Sequence, residues 1–196
     1  MNKEIYGLVL VGGESRRMGR DKAMLSYDGK QTQLERTAGL LKDVCPRVFI
    51  SQRKAQSFPT PEGTEPLYDS VTDVKGPLCG ILSAAYTFPD ADWLVLACDL
   101  PFLQVATLEK LIRHYREEGT GAPLSYQSSG DGMPEPLCAI YPASYAQQLH
   151  EMTAKAEKFC PRRMLISLKA PMIEQDDPKS LDNINTPDEF NAITQP

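Results

Sequence analysis

The stretch Leu10-Val11-Gly12-Gly13-Glu14-Ser15-Arg16-Arg17-Met18-Gly19-Arg20-Asp21-Lys22 is the strongest signal of fold in this sequence. It continues an apolar run, residues 5–11, and then becomes a basic loop that contains glycines. Glycines allow successive backbone N–H groups to turn inward and bind an anion. Arg17 and Lys22 add positive charge that suits a triphosphate. We therefore predict a strand followed by a phosphate-binding loop. An ordinary strand-to-helix connection with a solvated basic face is the alternative.

This loop differs from two common phosphate-binding motifs. In the P-loop the last glycine precedes Lys and then Ser or Thr, whereas Gly19 precedes Arg20-Asp21-Lys22-Ala23. The dinucleotide fingerprint requires G-x-G-x-x-G, whereas Gly12 and Gly13 are adjacent. The sequence thus indicates a phosphate loop of another kind.

Composition describes a globular protein of 196 residues with 41% hydrophobic and 24% charged residues. The net charge of −5 argues against a general nucleic-acid surface. No apolar run approaches the roughly 20 residues that a membrane-spanning helix needs. The first residues also lack the apolar core of a signal peptide. We expect a cytoplasmic protein without nucleic-acid or membrane partners.

Cysteine and histidine residues give no metal-site pattern. The five cysteines are widely spaced and form no CxxC pair, so we expect neither a disulfide framework nor a zinc site. With two histidines only, any metal is expected to be a hard cation bound by carboxylate and phosphate oxygens. Most of the cysteines, including Cys98, are expected to be buried as small hydrophobic residues.

Apolar periodicity predicts alternating strands and helices. The predicted strands are residues 5–11, 48–51, 93–98 and 137–141, and the predicted helices are residues 33–44, 77–88 and 107–118. Such alternation favours an α/β protein in three layers, with helices on both faces of a mostly parallel sheet. The Ser128–Gly132 segment is interpreted as a hairpin tip, with a functional loop as the alternative.

Asp99 is the candidate metal ligand in this arrangement. It directly follows the apolar run 93–98 and precedes Leu100-Pro101, where Pro101 favours a turn. Ligands of open parallel sheets bind outside the carboxyl ends of the strands, so Asp99 is expected to face the loop that ends at Lys22. A turn or capping role is the alternative for Asp99 taken alone.

Several motifs in order resemble the MobA-like nucleotidyltransferases, the family related to molybdenum cofactor guanylyltransferase. Besides the opening stretch, they are Tyr68-Asp69-Ser70, Gly76-Pro77-Leu78-Cys79-Gly80, Ala97-Cys98-Asp99-Leu100-Pro101 and Asn183-Ile184-Asn185-Thr186-Pro187-Asp188-Glu189. The resemblance covers nearly the whole chain. It implies one domain over residues 1–196 with a Rossmann-like nucleotidyltransferase fold, and its GPLCG segment favours the guanylyl over the cytidylyl branch.

The resemblance implies a reaction in which the terminal phosphate of molybdopterin attacks the α-phosphorus of GTP and releases pyrophosphate. It also implies site roles. The GTP contacts would be Leu10, Val11, Gly12, Gly13, Lys22, Ser51, Asp69 and Asp99. Asp99 would also bind Mg²⁺. Arg17 is suited to fork onto two phosphate oxygens. Asn185 is either a second metal contact or a helix cap before Thr186-Pro187.

Two departures from the family pattern affect the nucleoside side of this site. Val11 replaces the usual Ala, and Ser51 replaces the usual Asn and has no amide donor. The rival interpretations are a cytidylyl- or sugar-nucleotidyltransferase and a nucleotide-binding adaptor without chemistry. The acceptor is expected near Arg162, Arg163 and residues 183–185. Cofactor-delivery proteins and apo-molybdoenzymes are the further partners that the resemblance implies.

Overall fold

The computed structural model describes residues 3–11, 22–56, 58–154, 160–184 and 186–194. The strands are β1 (Glu4–Leu10), β2 (Val48–Gln52), β3 (Glu65–Tyr68), β4 (Ala91–Ala97), β5 (Leu124–Gln127), β6 (Pro134–Pro142) and β7 (Met172–Ile173). The α-helices are α1 (Gln33–Lys42), α2 (Pro77–Thr87), α3 (Val105–Glu118), α4 (Ala146–Ala154), α5 (Pro161–Ser167) and α6 (Pro187–Thr194). Short 3₁₀ turns cover Lys22–Met24 and Ala143–Tyr145.

The described strands form one sheet in the order β3-β2-β1-β4-β6-β5-β7. β1 is parallel to β2 on one side and to β4 on the other, and β2 is parallel to β3. β6 runs antiparallel to both β4 and β5, whereas β7 is parallel to β5. The prediction of a mostly parallel sheet is confirmed.

Two apolar cores lie on opposite faces of the sheet. One contains Leu34, Ala38 and Leu41 of α1 together with Leu108 and Leu111 of α3. The other is built from α2, α4 and α5 against the opposite face of the same strands. Alternate residues of a strand point to opposite faces, so Val9 enters the first core and Leu8 the second. The three-layer architecture that periodicity predicted is therefore present.

Chain order makes the junction of β1 and β4 the switch point of the sheet. From β1 the chain proceeds outward through β2 and β3, and it then returns to place β4 on the other side of β1. The two strands end level, because Leu10 lies opposite Ala97 in the parallel register. Crevices at such switch points bind ligands in α/β sheets. Within the described residues, no helix is both long and apolar enough to span a membrane.

All the predicted strands and helices exist, with small differences at their ends. α1 ends at Lys42, where Asp43 is its C-cap, and β6 begins earlier than the predicted residue 137. Strands β3, β5 and β7 were not predicted. β3 has one buried residue, Leu67, and β7 has two residues, so neither carries a periodic signal. The predicted hairpin tip at 128–132 does connect the antiparallel strands β5 and β6.

Leu41 provides a test of the packing between α1 and the sheet. Its side chain is 0% exposed, and it lies so close to Gly7 of β1 that a Cβ there would stand 3.1 Å from it. Leu41→Ala should lower the free energy of unfolding by about 2–5 kcal/mol, because it leaves a cavity. Chemical denaturation measures the change, with Leu40→Ala, at a partly buried position, as the control. Equal losses for the two variants would contradict this packing.

Candidate active site at the carboxyl edge of the sheet

Two opposite charges meet at the switch point. Lys22 begins the short turn after the opening loop, and Asp99 follows the end of β4. Lys22 Nζ lies 3.5 Å from Asp99 Oδ2, and the two side chains are 19% and 24% exposed. Two distant parts of the chain are therefore brought together, as we expected from their positions after the carboxyl ends of two parallel strands. The pair is partly shielded from water and still reachable by a ligand.

The segment after Asp99 is held by neighbouring elements. The Asp99 carbonyl oxygen accepts a hydrogen bond from Ile184 N at 3.2 Å. Arg36 of α1 donates from Nη2 to the Leu103 carbonyl at 2.5 Å, with Nη1 3.5 Å from the Leu100 carbonyl. Sequence reasoning missed Arg36, because nothing in its local pattern separates it from a surface residue of the helix. These bonds fix the backbone that presents the Asp99 carboxylate.

The predicted nucleoside-side residues also meet. Ser51 Oγ donates to Asp69 Oδ1 at 3.4 Å, and Ser51 is 4% exposed. Asp69 N donates in turn to the Gln52 carbonyl at 3.1 Å. Ser83 of α2 holds the segment after Asp69, because its Oγ accepts a hydrogen bond from Ser70 N at 2.9 Å. Ser83 is a further residue that sequence reasoning missed.

Gly80 of α2 allows the close approach behind Ser51. A Cβ at this position would overlap Ser51 Oγ and would stand 2.9 Å from Leu10 Cδ2. Leu10 and Val11 are both half-buried at the end of β1. The helix, β1 and β2 are thus in direct contact next to the Ser51–Asp69 pair, and there is no room for a larger residue on the helix.

Four predicted site residues, Gly12, Gly13, Arg17 and Asn185, lie outside the described residues. Their roles stay predictions. Cys98 is buried in the core on the α1 side of the sheet, and Cys45, Cys79 and Cys138 are buried as well. The prediction that most cysteines are buried is confirmed.

Tyr27 is a residue of this neighbourhood that the sequence did not reveal. Its hydroxyl oxygen is buried, and among the described residues it has no hydrogen-bond partner. Burial, together with the negative charges of Asp99 and Glu189, raises the pKa of Tyr27 to about 12. The ring contacts Phe190 of α6, with centroids 5.1 Å apart. Tyr27 therefore keeps its proton at neutral pH, and its ring packs against the C-terminal helix.

Arg162, which is predicted to lie near the acceptor, forms ion pairs with two carboxylates. Its Nη1 lies 2.7 Å from Asp131 Oδ2 and its Nη2 lies 3.3 Å from Glu135 Oε1. Burial raises the pKa of Glu135. These bonds tie α5 to the β5–β6 hairpin, whereas the neighbouring Arg163 is exposed.

The chemistry of these groups suits a hard cation shared with a ligand. Asp99 offers a carboxylate, and Mg²⁺ is usually bound by one or two carboxylates, with phosphate oxygens and waters completing its six ligands. Among the described residues, no cluster of three or more His, Cys, Asp or Glu side chains is present. The residues present therefore fit a magnesium–phosphate group.

A mostly parallel sheet with charged side chains at its switch point is typical of α/β proteins that bind a ligand in this crevice. The family model described as MobA-like NTP transferase domain matches residues 7–171. The chain belongs to this family and is thus a nucleotidyltransferase.

Curated relatives carry related names. The "Molybdenum cofactor biosynthesis bifunctional protein" of Synechocystis sp. is 35% identical over 189 residues, which are 96% of this chain and 53% of that protein. The chain thus spans about half the length of this relative. A "Probable molybdenum cofactor guanylyltransferase" of Mycolicibacterium paratuberculosis is 30% identical over 202 residues, with 98% and 96% of the two chains covered.

Solved structures share the fold. "Molybdopterin-guanine dinucleotide biosynthesis protein A" from Archaeoglobus fulgidus has a TM-score of 0.73 at 24% identity, and 97% of each chain is covered. The 2-C-methyl-D-erythritol 4-phosphate cytidylyltransferase of Thermus thermophilus has a TM-score of 0.67 at 14% identity, with 99% and 98% covered. At these identities the likeness concerns the fold alone. It confirms the predicted Rossmann-like nucleotidyltransferase architecture.

Gly80 provides a test of the close approach at this site. Gly80→Ala should lower the free energy of unfolding by about 1–3 kcal/mol, because the new methyl group overpacks against Ser51 and Leu10. The matched control is Gly39→Ala in α1, where a Cβ would meet nothing within 4 Å. The control should be neutral or stabilising by up to about 1 kcal/mol, since alanine favours helix. Chemical denaturation measures the free energy of unfolding of both variants. Equal changes would contradict the close approach of Gly80 to Ser51 and Leu10.

Proposed function

We propose that this protein transfers GMP from GTP to the terminal phosphate of molybdopterin and releases pyrophosphate. The observation that carries this proposal is the 3.5 Å approach of Lys22 to Asp99 at the switch point of the sheet. Membership in the MobA-like family and the printed names of its relatives support the choice of substrates.

Lys22 would bind the triphosphate. In the free protein its ammonium group is neutralised by Asp99. A triphosphate carries more negative charge than the Asp99 carboxylate. The compact ammonium group of Lys22, with its three donors, can therefore move from this carboxylate to the phosphate oxygens. Arg17 would bind a second pair of phosphate oxygens, with Gly12 and Gly13 providing backbone donors. These groups hold the triphosphate in line for displacement and stabilise its charge.

Asp99 would hold magnesium, with Asn185 as a candidate second contact. When bound there, the metal would neutralise charge on the phosphate oxygens as pyrophosphate leaves. The Asp99 carboxylate is suited to this role, since Ile184 fixes its backbone and its side chain is partly exposed.

The reaction needs neither a nucleophilic side chain nor a strong base. An oxygen of the acceptor phosphate is already anionic and forms the new bond to the α-phosphorus. The bond from that phosphorus to the β-phosphate oxygen breaks, and its electron pair leaves with pyrophosphate. The protein's task is therefore positioning and charge stabilisation.

The acceptor would lie beside α5 and residues 183–185. Arg163 is exposed there, and Arg162 anchors the hairpin through Asp131 and Glu135. Of these two segments, the one that contains Ile184 is next to Asp99, because Ile184 N donates a hydrogen bond to the Asp99 carbonyl. This contact supports an acceptor site close to the triphosphate.

Ser51 and Asp69 would contact the nucleoside. Because Ser51 is hydrogen-bonded to Asp69 and replaces the usual Asn, base selection is the part of the proposal that needs its own measurement. Competition between GTP, CTP, UTP and ATP for binding tests it. Preference for CTP or UTP would instead support a sister cytidylyl- or sugar-nucleotidyltransferase.

Pyrophosphate release from GTP, molybdopterin and Mg²⁺ tests the whole proposal. Release that depends on all three components is the expected result. Nucleotide binding without any release would indicate an adaptor that carries cofactor without performing chemistry.

Lys22→Ala should lower turnover by about 10²–10³-fold, because it removes a charge aimed at the reacting phosphates. Folding stability should change little, since partly exposed ion pairs contribute about 0–1 kcal/mol. Lys3→Ala, at the opposite edge of the sheet, is the control and should keep full turnover. Near-normal pyrophosphate release by Lys22→Ala would count against the assignment.

Asp99→Asn should raise the Mg²⁺ concentration needed for half-maximal activity by at least about tenfold, because an amide binds magnesium more weakly than a carboxylate does. Asp90→Asn, in the exposed turn before β4, is the matched control. The two variants are compared by measuring pyrophosphate release at increasing Mg²⁺ concentrations. An unchanged magnesium requirement for Asp99→Asn would refute the metal role.

A further inference from the structure

The first turn of α1 contacts both segments that carry the Lys22–Asp99 pair. Gln33 N donates a hydrogen bond to the Leu25 carbonyl at 2.7 Å, and Leu25 N donates in turn to the Lys22 carbonyl at 3.2 Å. In the same turn of the helix, the Arg36 guanidinium reaches the segment after Asp99. One helix therefore holds the segment of the lysine and the segment of the aspartate.

The start of α1 is itself fixed by a capping box. Glu35 N donates to Thr32 Oγ1 at 3.2 Å, and Thr32 N donates to Glu35 Oε2 at 2.7 Å. The buried side chain of Leu34 packs the same turn into the core. Because such a cap satisfies backbone N–H groups at the beginning of a helix, the position of Arg36 is well defined.

Arg36 holds the turn formed by residues 100–103. Its Nη2 donates to the Leu103 carbonyl at 2.5 Å, and its Nη1 makes a longer contact of 3.5 Å with the Leu100 carbonyl. Leu103 N donates to the same Leu100 carbonyl at 3.3 Å. A guanidinium group has five N–H donors in a planar fork, so it can hold two carbonyl oxygens at once. Both ends of the turn are thus bound to α1, and one of them is the residue next to Asp99.

The positive charge of Arg36 is directed at neutral acceptors. In the described part of the chain, its side-chain hydrogen bonds go to carbonyl oxygens and none goes to a carboxylate. The side chain is half-buried, and removing a cation from water without a counter-ion costs free energy. An apolar residue of similar size would often serve stability as well or better. A role in placing the neighbouring Asp99 gives this cost a reason.

We propose that Arg36 is a positioning residue for nucleotidyl transfer: it binds the turn after Asp99 to the helix that also holds the Lys22 segment, and so places the metal-binding carboxylate relative to the ammonium group. The inference rests on the proposed function, since it takes Asp99 to hold magnesium. Arg36 acts through the backbone of Leu100 and Leu103 and touches neither substrate nor metal. Supporting contacts of this kind are what hold reacting groups to within about 0.5 Å of a productive geometry.

Two substitutions, Arg36→Ala and Arg36→Lys, test the proposal. The first removes the fork, whereas the second keeps the charge but presents a compact ammonium group that cannot span both carbonyls in the same way. The matched control is Arg47→Ala, which removes an arginine that makes two hydrogen bonds to Glu65 just before β2, at the opposite edge of the sheet.

Three measurements compare the variants at a temperature at which all of them are folded. The first gives kcat and KM for GTP from pyrophosphate release. The second gives the Mg²⁺ concentration needed for half-maximal activity. The third is the hydrogen exchange of backbone amides in residues 99–104, measured on the free proteins without nucleotide or metal.

Arg36→Ala should lower kcat by about 10–100-fold, because a small displacement of Asp99 misplaces the metal. KM for GTP should stay close to the wild-type value, since the groups that contact the nucleotide are unchanged. The Mg²⁺ requirement should rise by about tenfold, as is common when a supporting contact of a metal ligand is lost. The amides of residues 99–104 should exchange faster. Arg36→Lys should lie between Arg36→Ala and the wild type, and Arg47→Ala should match the wild type in all three measurements.

Other results would overturn the inference. If Arg36→Ala keeps the turnover and the Mg²⁺ requirement of the wild type, the reaction does not need these hydrogen bonds. If turnover falls while the exchange of residues 99–104 is unchanged, Arg36 does not act through this turn. Should Arg36→Ala fail to fold, Arg36→Lys decides by the same two criteria.

The exchange measurement also separates this inference from the proposed function. A wild-type protein that releases no pyrophosphate would contradict the proposed function, and the positioning role would fall with it. Unchanged exchange in an Arg36 variant of an active protein would contradict the positioning role alone.

Discussion

The parallel pairing of β1 with β4 is the constraint on which the site depends. Their register runs from Glu4 opposite Ala91 to Leu10 opposite Ala97, so the two strands end at the same level. The loop that leaves β1 and the turn that leaves β4 must then share one crevice, and Lys22 and Asp99 meet there at 3.5 Å. Apolar burial on both faces maintains this register, because a slip by one residue would turn Leu8 and Val9 to the wrong faces.

In the free protein, Lys22 and Asp99 also neutralise each other. Two partly exposed opposite charges gain little net free energy from their attraction, so a ligand with more charge can separate them at low cost. The contact therefore neutralises these two charges without holding them together tightly. A buried, fully hydrogen-bonded pair would resist this exchange, because each ion would have to be desolvated and paired again.

The layered fold and the position of the Lys22–Asp99 pair could both be predicted from the sequence, because apolar runs identify the strands and the charged residues follow their ends. The apolar run 94–98 is continuous, as expected for a central strand buried on both faces, and an acid stands where it stops. Helix periodicity was clear in α1, α2 and α3. Strand alternation could not be recognised in β3 and β7, because each has a single buried residue. Short strands of this kind are specified by their neighbours in the sheet.

Several features of the site could not be predicted, because they depend on contacts between distant residues. The overlap of Gly80 with Ser51 appears only when α2 lies against β2. Arg162 has the same charge as Arg163 in the sequence, yet it alone is shown paired with Asp131 and Glu135. Tyr27 has no motif around it, and the burial of its hydroxyl is a property of the packed structure. Patterns along a chain identify elements, whereas pairing between elements requires three dimensions.

A crystal structure with GTP and Mg²⁺ tests the central claim most directly. The account predicts one metal ion bound by both an Asp99 carboxylate oxygen and a phosphate oxygen, with Lys22 Nζ moved from Asp99 to the triphosphate. A triphosphate bound elsewhere, with the Lys22–Asp99 contact intact, would contradict it.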